Sequence, residues 1–299
     1  MLDWDDMRVF LAVHRSVTLA AAGTSLGINA TTVGRRLNTL EEQAGARLFD
    51  RTPDGYIATL AGRDLLPAAE RMEAEMLAVE RQIVGADKRP AGVVRVATTE
   101  MLATRIIATA LPRFRDQYPE ISLDLQCSNR PVLLGRREAD IALRLSKPHE
   151  PCVVSRKLAR IHLGLYASPA YLAAHGSPAE PDRQLDGKHA ILFADTHTFA
   201  LENGWFSERL GKARIVLRSD SVSAAYAACA AGLGIALLPR VVAGSDPDLV
   251  LLATSTSPEP RVIYQIVHED LVSSARIDAV RQFLAEVFRE PEPVPNRAI

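Results

Sequence analysis

The stretch that most narrows what this chain can become is Thr18 to Ala44, TLAAAGTSLGINATTVGRRLNTLEEQA, which reads as two short helices joined by a tight turn. In its second half Val33, Leu37, Leu40 and Ala44 recur at helical spacing and are expected to face inward, leaving Thr31, Thr32, Arg35 and Asn38 on the opposite side. Asn29 stands where the second helix begins, with a side chain able to accept a hydrogen bond from an orphan backbone N–H, and Gly27 suits a turn residue of positive φ. Spacing alone fits two descriptions equally: an amphipathic hairpin with a polar solvent face, or a helix-turn-helix whose second helix presents its first turns to base edges in the major groove.

The residues that follow favour the second. Leu48 to Thr52 and Tyr56 to Thr59 flank Pro53-Asp54-Gly55, a turn sequence, so a β-hairpin is expected there. Trp4 to Ser16 carries Met7, Phe10, Leu11 and Val13 in a helical pattern and supplies a first helix. Three helices and a hairpin make a winged helix-turn-helix over residues 1–59. A net charge of −1 argues against bulk attraction to nucleic acid, so DNA binding must come from a local patch. Arg35, Arg36, Arg47 and Arg51 supply one, diluted by Glu41, Glu42 and Asp50, and its modest single-site affinity calls for several heads acting together.

After the wing, Thr59 is placed to cap a long helix from Leu60 to Val84, in which Leu65, Ala69, Met72, Met76, Val79 and Ile83 alternate steps of four and three. Such a stripe either pairs two chains or packs on its own domain. The polar stretch from Gly85 to Gly92 reads as a hinge, which favours pairing over residues 60–90.

From Val93 onward strands and helices alternate. Val93–Ala97, Ile121–Leu125, Ala139–Leu143, His162–Ala167, Ala190–Phe193, Ile215–Leu217, Ile235–Leu238 and Val262–His268 read as strands. Met101–Phe114, Pro169–His175, Ser221–Ala231 and Arg276–Phe288 read as helices. That order argues for a mainly parallel sheet covered on both faces, and about 200 residues of it suit two small lobes with a ligand cleft beyond the strand ends. At the end of the first strand, Thr98-Thr99-Glu100-Met101 runs straight into a helix start. Its hydroxyls and N–H groups either hold a carboxylate or similar anion, or simply cap the helix. Residues 291–299, Pro-rich and without a core pattern, are expected to form a disordered tail.

Several function classes lose support. No apolar run is long enough for a membrane span, and Asp3, Asp5 and Asp6 stand where a signal peptide would be basic, so a cytoplasmic protein is expected and an exported solute receptor is disfavoured. Cys127, Cys152 and Cys229 lack metal-ligand or redox-pair spacing and read as reduced, mostly buried thiols; no metal is implied. The histidines are scattered, and no Gly-x-Ser-x-Gly, Walker or dinucleotide motif occurs; Gly232-x-Gly234 reads as a helix end feeding a strand. No catalysis and no cofactor are therefore expected, although an α/β enzyme with an appended DNA-binding-like domain stands as the alternative.

The residues now quoted, together with Phe10-Leu11-Ala12-Val13, Gly45-Ala46-Arg47-Leu48-Phe49-Asp50-Arg51, Tyr118-Pro119, Ala139-Asp140-Ile141-Ala142 and Ala231-Gly232-Leu233-Gly234-Ile235-Ala236-Leu237-Leu238-Pro239, resemble the LysR-type transcriptional regulators over nearly the whole chain. The resemblance implies a winged-helix head, a dimerising linker helix and a two-lobed, periplasmic-binding-protein-like effector domain. Its lobes would take residues 91–163 with 266–290, and 164–265. It implies a homodimer or homotetramer on double-stranded promoter DNA, a small-molecule effector for which an anion is a natural fit, and contact with RNA polymerase if the protein activates. Carried over by position, DNA contacts fall on Asn29, Thr31, Thr32, Arg35 and Arg51. Effector contacts fall on Thr98, Thr99, Glu100 and Met101, with Ser128, Arg144, Asp195 and Ser221 as further candidates. Arg144 is read either as the partner of an anionic effector or as half of an internal ion pair. Ala30 and Asn29 depart from the family's common glutamine or proline and serine, and Gly34 replaces a usual serine, a change read as allowing close approach to DNA.

Overall fold

The computed structural model describes residues 2–127, 139–148, 150, 152–179, 181, 184–196 and 199–289. The chain divides into two compact units, Met1–Ile83 and Val84–Ile299. The first is the head. It contains α1 (Trp4–Ser16), α2 (Leu19–Leu26), α3 (Ala30–Ala44), a hairpin of β1 (Phe49–Thr52) and β2 (Gly55–Ala58), and most of α4 (Leu60–Ala86). The expected bounds hold within a residue or two. Met7, Phe10, Leu11, Val13, Val33, Leu37, Leu40 and Leu48 are buried together, and Phe49 sets its ring 5.3 Å from that of Phe10. Ala44, expected inside, is exposed, because α3 ends there at Gly45 before it can turn its last residue inward. Thr59 caps α4 as its position suggested, accepting from the Gly62 amide at 3.1 Å.

The second unit holds two five-stranded sheets. In chain order it contains β3 (Gly92–Thr98), α5 (Glu100–Leu102) running through a π turn (Ala103–Ile107) into α6 (Ala108–Gln117), β4 (Ile121–Cys127), β5 (Ile141–Arg144), β6 (Val153–Ile161), β7 (Leu163–Ala167), α7 (Pro169–His175) and β8 (His189–Phe193). Then follow α8 (Ala200–Ser207), β9 (Arg214–Ser219), α9 (Val222–Ala230), β10 (Ile235–Pro239), α10 (Arg240–Ala243), β11 (Val250–Leu252), β12 (Arg261–His268) and α11 (Ala275–Val287). The first sheet runs β4-β3-β5-β12-β6 and the second β11-β7-β10-β8-β9.

Each sheet is mixed: four of its five strands run the same way, as the sequence reading expected, and one runs against them. β12 lies antiparallel to β5 and β6, and β7 antiparallel to β10 and β11. In each sheet the reversed strand is the one by which the chain enters: β7 just after the crossing at His162, β12 just after the return. The βαβ repeats within each lobe still give parallel pairs, β3 with β4 and β5, and β8 with β9 and β10. Because Arg261 already pairs with Ile161, the return crossing falls before Arg261, earlier than residue 266.

Strand β6 escaped the sequence reading altogether. It is an edge strand carrying Arg156, Lys157 and Arg160, and charge on an edge hides the alternation while protecting the edge from pairing. The lobes share one apolar cluster in which Met101, Leu102 and Ile107 of the first meet Ala225, Tyr226 and Cys229 of the second. A further bond spans them: the buried Glu202 carboxylate on α8 takes two hydrogen bonds from Arg261 on β12, at 2.5 and 2.7 Å. Among the described residues no helix is long and apolar enough to cross a membrane.

Candidate functional site

The head presents α3 outward. Thr18 caps α2 by accepting from the Ala21 amide at 3.2 Å, and Gly27 ends it at φ +69°. Gly23 makes the turn close, since a Cβ there would lie 2.6 Å from the Ile28 carbonyl oxygen. Asn29 then starts α3, its carboxamide oxygen accepting from the Thr32 amide at 2.7 Å. With Val33, Leu37 and Leu40 buried, Thr31, Arg35 and Asn38 stand exposed on one stripe and Thr32 is half-buried beside them. Arg51 reaches the same face from β1, donating to the Asn38 side-chain oxygen at 3.4 Å and lying 5.6 Å from the Tyr56 ring centroid. Among the described residues the Arg35 guanidinium has no acidic partner, so it is available to a phosphate or a base edge.

The basic patch is smaller than the sequence suggested. Arg36 turns back to α1, 3.3 Å from Asp5 and 3.8 Å from Asp6. Burial raises the Asp6 carboxyl above its ordinary pKa, and Arg36 offsets part of that. Glu41 is also engaged: its carboxylate accepts from the Leu48 and Phe49 amides at 2.7 and 3.1 Å and pins the wing to α3. Gly34 lies against α2. A Cβ there would sit 3.3 Å from the Leu19 side chain, so the glycine serves the packing of α2 on α3.

In the second unit the sequence-derived effector residues sit at the carboxyl ends of parallel strands. Thr98 closes β3 at 3% exposure, and its Oγ1 has no hydrogen-bond partner among the described residues. Thr99 occupies the capping position of α5 with φ −74° and ψ 150°, yet its hydroxyl makes no capping bond and is likewise buried without a partner among the described residues. Capping therefore explains neither hydroxyl, and an unsatisfied buried hydroxyl is costly unless something else satisfies it. The π turn that follows them is a helix defect of the kind found where a backbone is shaped for a ligand. Glu100 is exposed, whereas Met101 is buried in the shared apolar cluster and presents its side chain to packing.

Arg144, at the end of β5 next to β3, donates to Glu150 at 2.6 Å. Across the unit, β8 leads to Asp195, which lies 3.1 Å from Arg218, and Ser221 caps α9 by accepting from the Ala224 amide at 3.2 Å. α5 packs directly on α9, the helix that Ser221 begins. Ser128 lies outside the described residues. Two residues missed in sequence also join the lobes: Arg105 stands 4.3 Å from the Tyr226 ring centroid, and the Tyr226 hydroxyl donates to Asp246. No spacing rule marks such a pair, since its members come from different lobes.

The cysteines differ from expectation. Only Cys229 is buried, where loss of water pushes its thiol up to about 12; Cys127 and Cys152 are exposed.

Comparison with known proteins covers both units. Residues 4–63 match the bacterial regulatory helix-turn-helix protein, lysR family, and residues 87–289 match the LysR substrate binding domain. The regulator CrgA of Neisseria meningitidis serogroup C (strain 8013) is 27% identical over 289 residues, 94% of this chain and 96% of that one. An HTH-type transcriptional regulator of Xanthomonas campestris pv. campestris (strain 8004) is 34% identical over 180 residues, 60% of this chain and 52% of that protein. Among solved structures, CrgA from N. meningitidis, a LysR-type transcriptional regulator, superposes with a TM-score of 0.59 at 25% identity, covering 96% of this chain and 99% of that one. The full-length Vibrio cholerae virulence activator AphB shares the fold with a TM-score of 0.64 at 22% identity, over 95% of this chain and 99% of that chain. With both units matched, the chain belongs to the LysR family of bacterial transcriptional regulators, DNA-binding proteins whose second domain takes an effector.

Proposed function

We propose that this protein grips operator DNA through Thr31, Thr32, Arg35 and Arg51, with Asn29 ordering the helix start that receives a phosphate. The observation that carries this reading is the exposed stripe of α3 bearing an arginine without an acidic partner among the described residues. Asn38, coupled to Arg51, extends the same face. Affinity is multiplied by pairing: Met72, Met76, Val79 and Ile83 join two chains along α4, and two such pairs form the tetramer. Leu65 and Ala69 belong to the head's own core, so the pairing seam starts at Met72, about two turns later than the sequence pattern does.

The effector binds beside Thr98 and Thr99, supplying the partners their hydroxyls lack, with Glu100, Ser221 and Asp195 at the rim. Its binding favours one arrangement of the lobes and shifts DNA affinity by linkage, with no bond made or broken. The protein works in the cytoplasm on promoter DNA, and as an activator it also meets RNA polymerase there. The test is operator affinity measured by fluorescence anisotropy across a panel of small carboxylates, phosphates and neutral polyols, with each compound assayed for chemical change. A compound that shifts operator affinity and is recovered intact supports the reading; conversion of the compound to product refutes it.

A further inference from the structure

The head's apolar core ends on the linker helix at Ala69, which is fully buried, with Leu65 and Leu66 packed beside it. Pro67 lies inside this stretch. Having no N–H, it leaves the Arg63 carbonyl without its helical donor, and α4 is weakest where the head is attached. One turn beyond Ala69, the Glu73 carboxylate takes two hydrogen bonds from Arg15 in the last turn of α1. The Nη1 to Oε1 distance is 2.8 Å and the Nη2 to Oε2 distance 2.6 Å. Both side chains are largely sheltered, at 33% and 20% exposure. A planar two-point contact fixes orientation as well as separation. The exposed stripe Met72, Met76, Val79 and Ile83 departs from this same turn.

From this geometry we infer that Arg15 and Glu73 are positioning residues for DNA reading: their ion pair braces α4 beyond Pro67 against α1 and sets the angle at which α3 is carried relative to the linker stripe. When two chains join along that stripe, the angle determines the distance between their recognition helices and so the half-site spacing they accept. Arg15 lies on α1 and Glu73 on α4, outside the α3 stripe, so the brace governs spacing preference while leaving the affinity of one head for one half-site alone. The inference rests on the proposed pairing through α4.

The experiment uses full-length protein with Arg15→Glu, Glu73→Arg, the double exchange and Glu73→Gln. Anisotropy is read on duplexes bearing two copies of a protected half-site, with the spacer stepped one base pair at a time, and on a single half-site. Each reversal keeps single-site affinity within about twofold, while the preference for the best spacer over one two base pairs longer falls roughly tenfold. The double exchange restores the preference. Glu73→Gln, conservative in size, reports the same loss in smaller measure should a reversal fail to fold. An unchanged spacing profile in Glu73→Gln and in any reversal that folds overturns the inference, as does a loss the double exchange does not repair. Wild-type protein that sediments as a monomer refutes the pairing itself, before any variant is compared.

Discussion

Arg144 donates to Glu150 at 2.6 Å, so an arginine at the end of β5 that sequence reasoning offered to an anionic effector already has an anion from its own chain. The Glu150 carboxylate thus competes with any ligand carboxylate for that guanidinium. Glu150→Gln should raise the affinity of an anionic effector about tenfold, equivalent to about 1.4 kcal/mol, in isothermal titration. Unchanged affinity would mean that the effector binds without using Arg144.

Thr98 offers a cleaner separation of stability from ligand recognition. Its hydroxyl is buried without a partner among the described residues, so Thr98→Val removes an unsatisfied group while keeping the shape of the side chain. Stability of the effector domain should stay the same or rise by up to about 1 kcal/mol, while effector response is lost. A marked fall in melting temperature would instead assign the hydroxyl a structural bond.

The linker stripe predicts assembly. Met72 and Met76 are 40% and 42% exposed, and Val79 and Ile83 reach 51% and 69%, an unusual apolar display for a helix facing water. Met72→Lys should yield monomers in sedimentation velocity with the head still folded by circular dichroism. An intact oligomer would remove Met72 from the pairing surface.

Local patterning carried the head almost completely. Caps at Asn29 and Thr59 and the positive-φ position at Gly27 are decided within a few residues, and each appears in the structure as read. What escaped depends on partners distant in sequence. Nothing local to Arg36 announces Asp5 and Asp6, nothing local to Gly34 announces Leu19, and nothing local to Leu65 and Ala69 tells a head-packing face from a pairing seam. The reversed strands β7 and β12 were illegible for the same reason, because strand direction follows from where the chain crosses between lobes. Within the second unit, the sequence singled out Thr98 and Thr99 as either anion-holding or capping, and the structure shows that neither hydroxyl makes a capping bond.

The central claim is that α3 reads DNA through its outer stripe, and footprinting on the region upstream of the protein's own gene, at fixed salt, with wild type beside Arg35→Ala, tests it most directly. The account predicts protection repeating at DNA-turn intervals for wild type, and a loss of roughly 1 to 3 kcal/mol of binding in the variant with the head still folded. Equal protection by wild type and Arg35→Ala would contradict it.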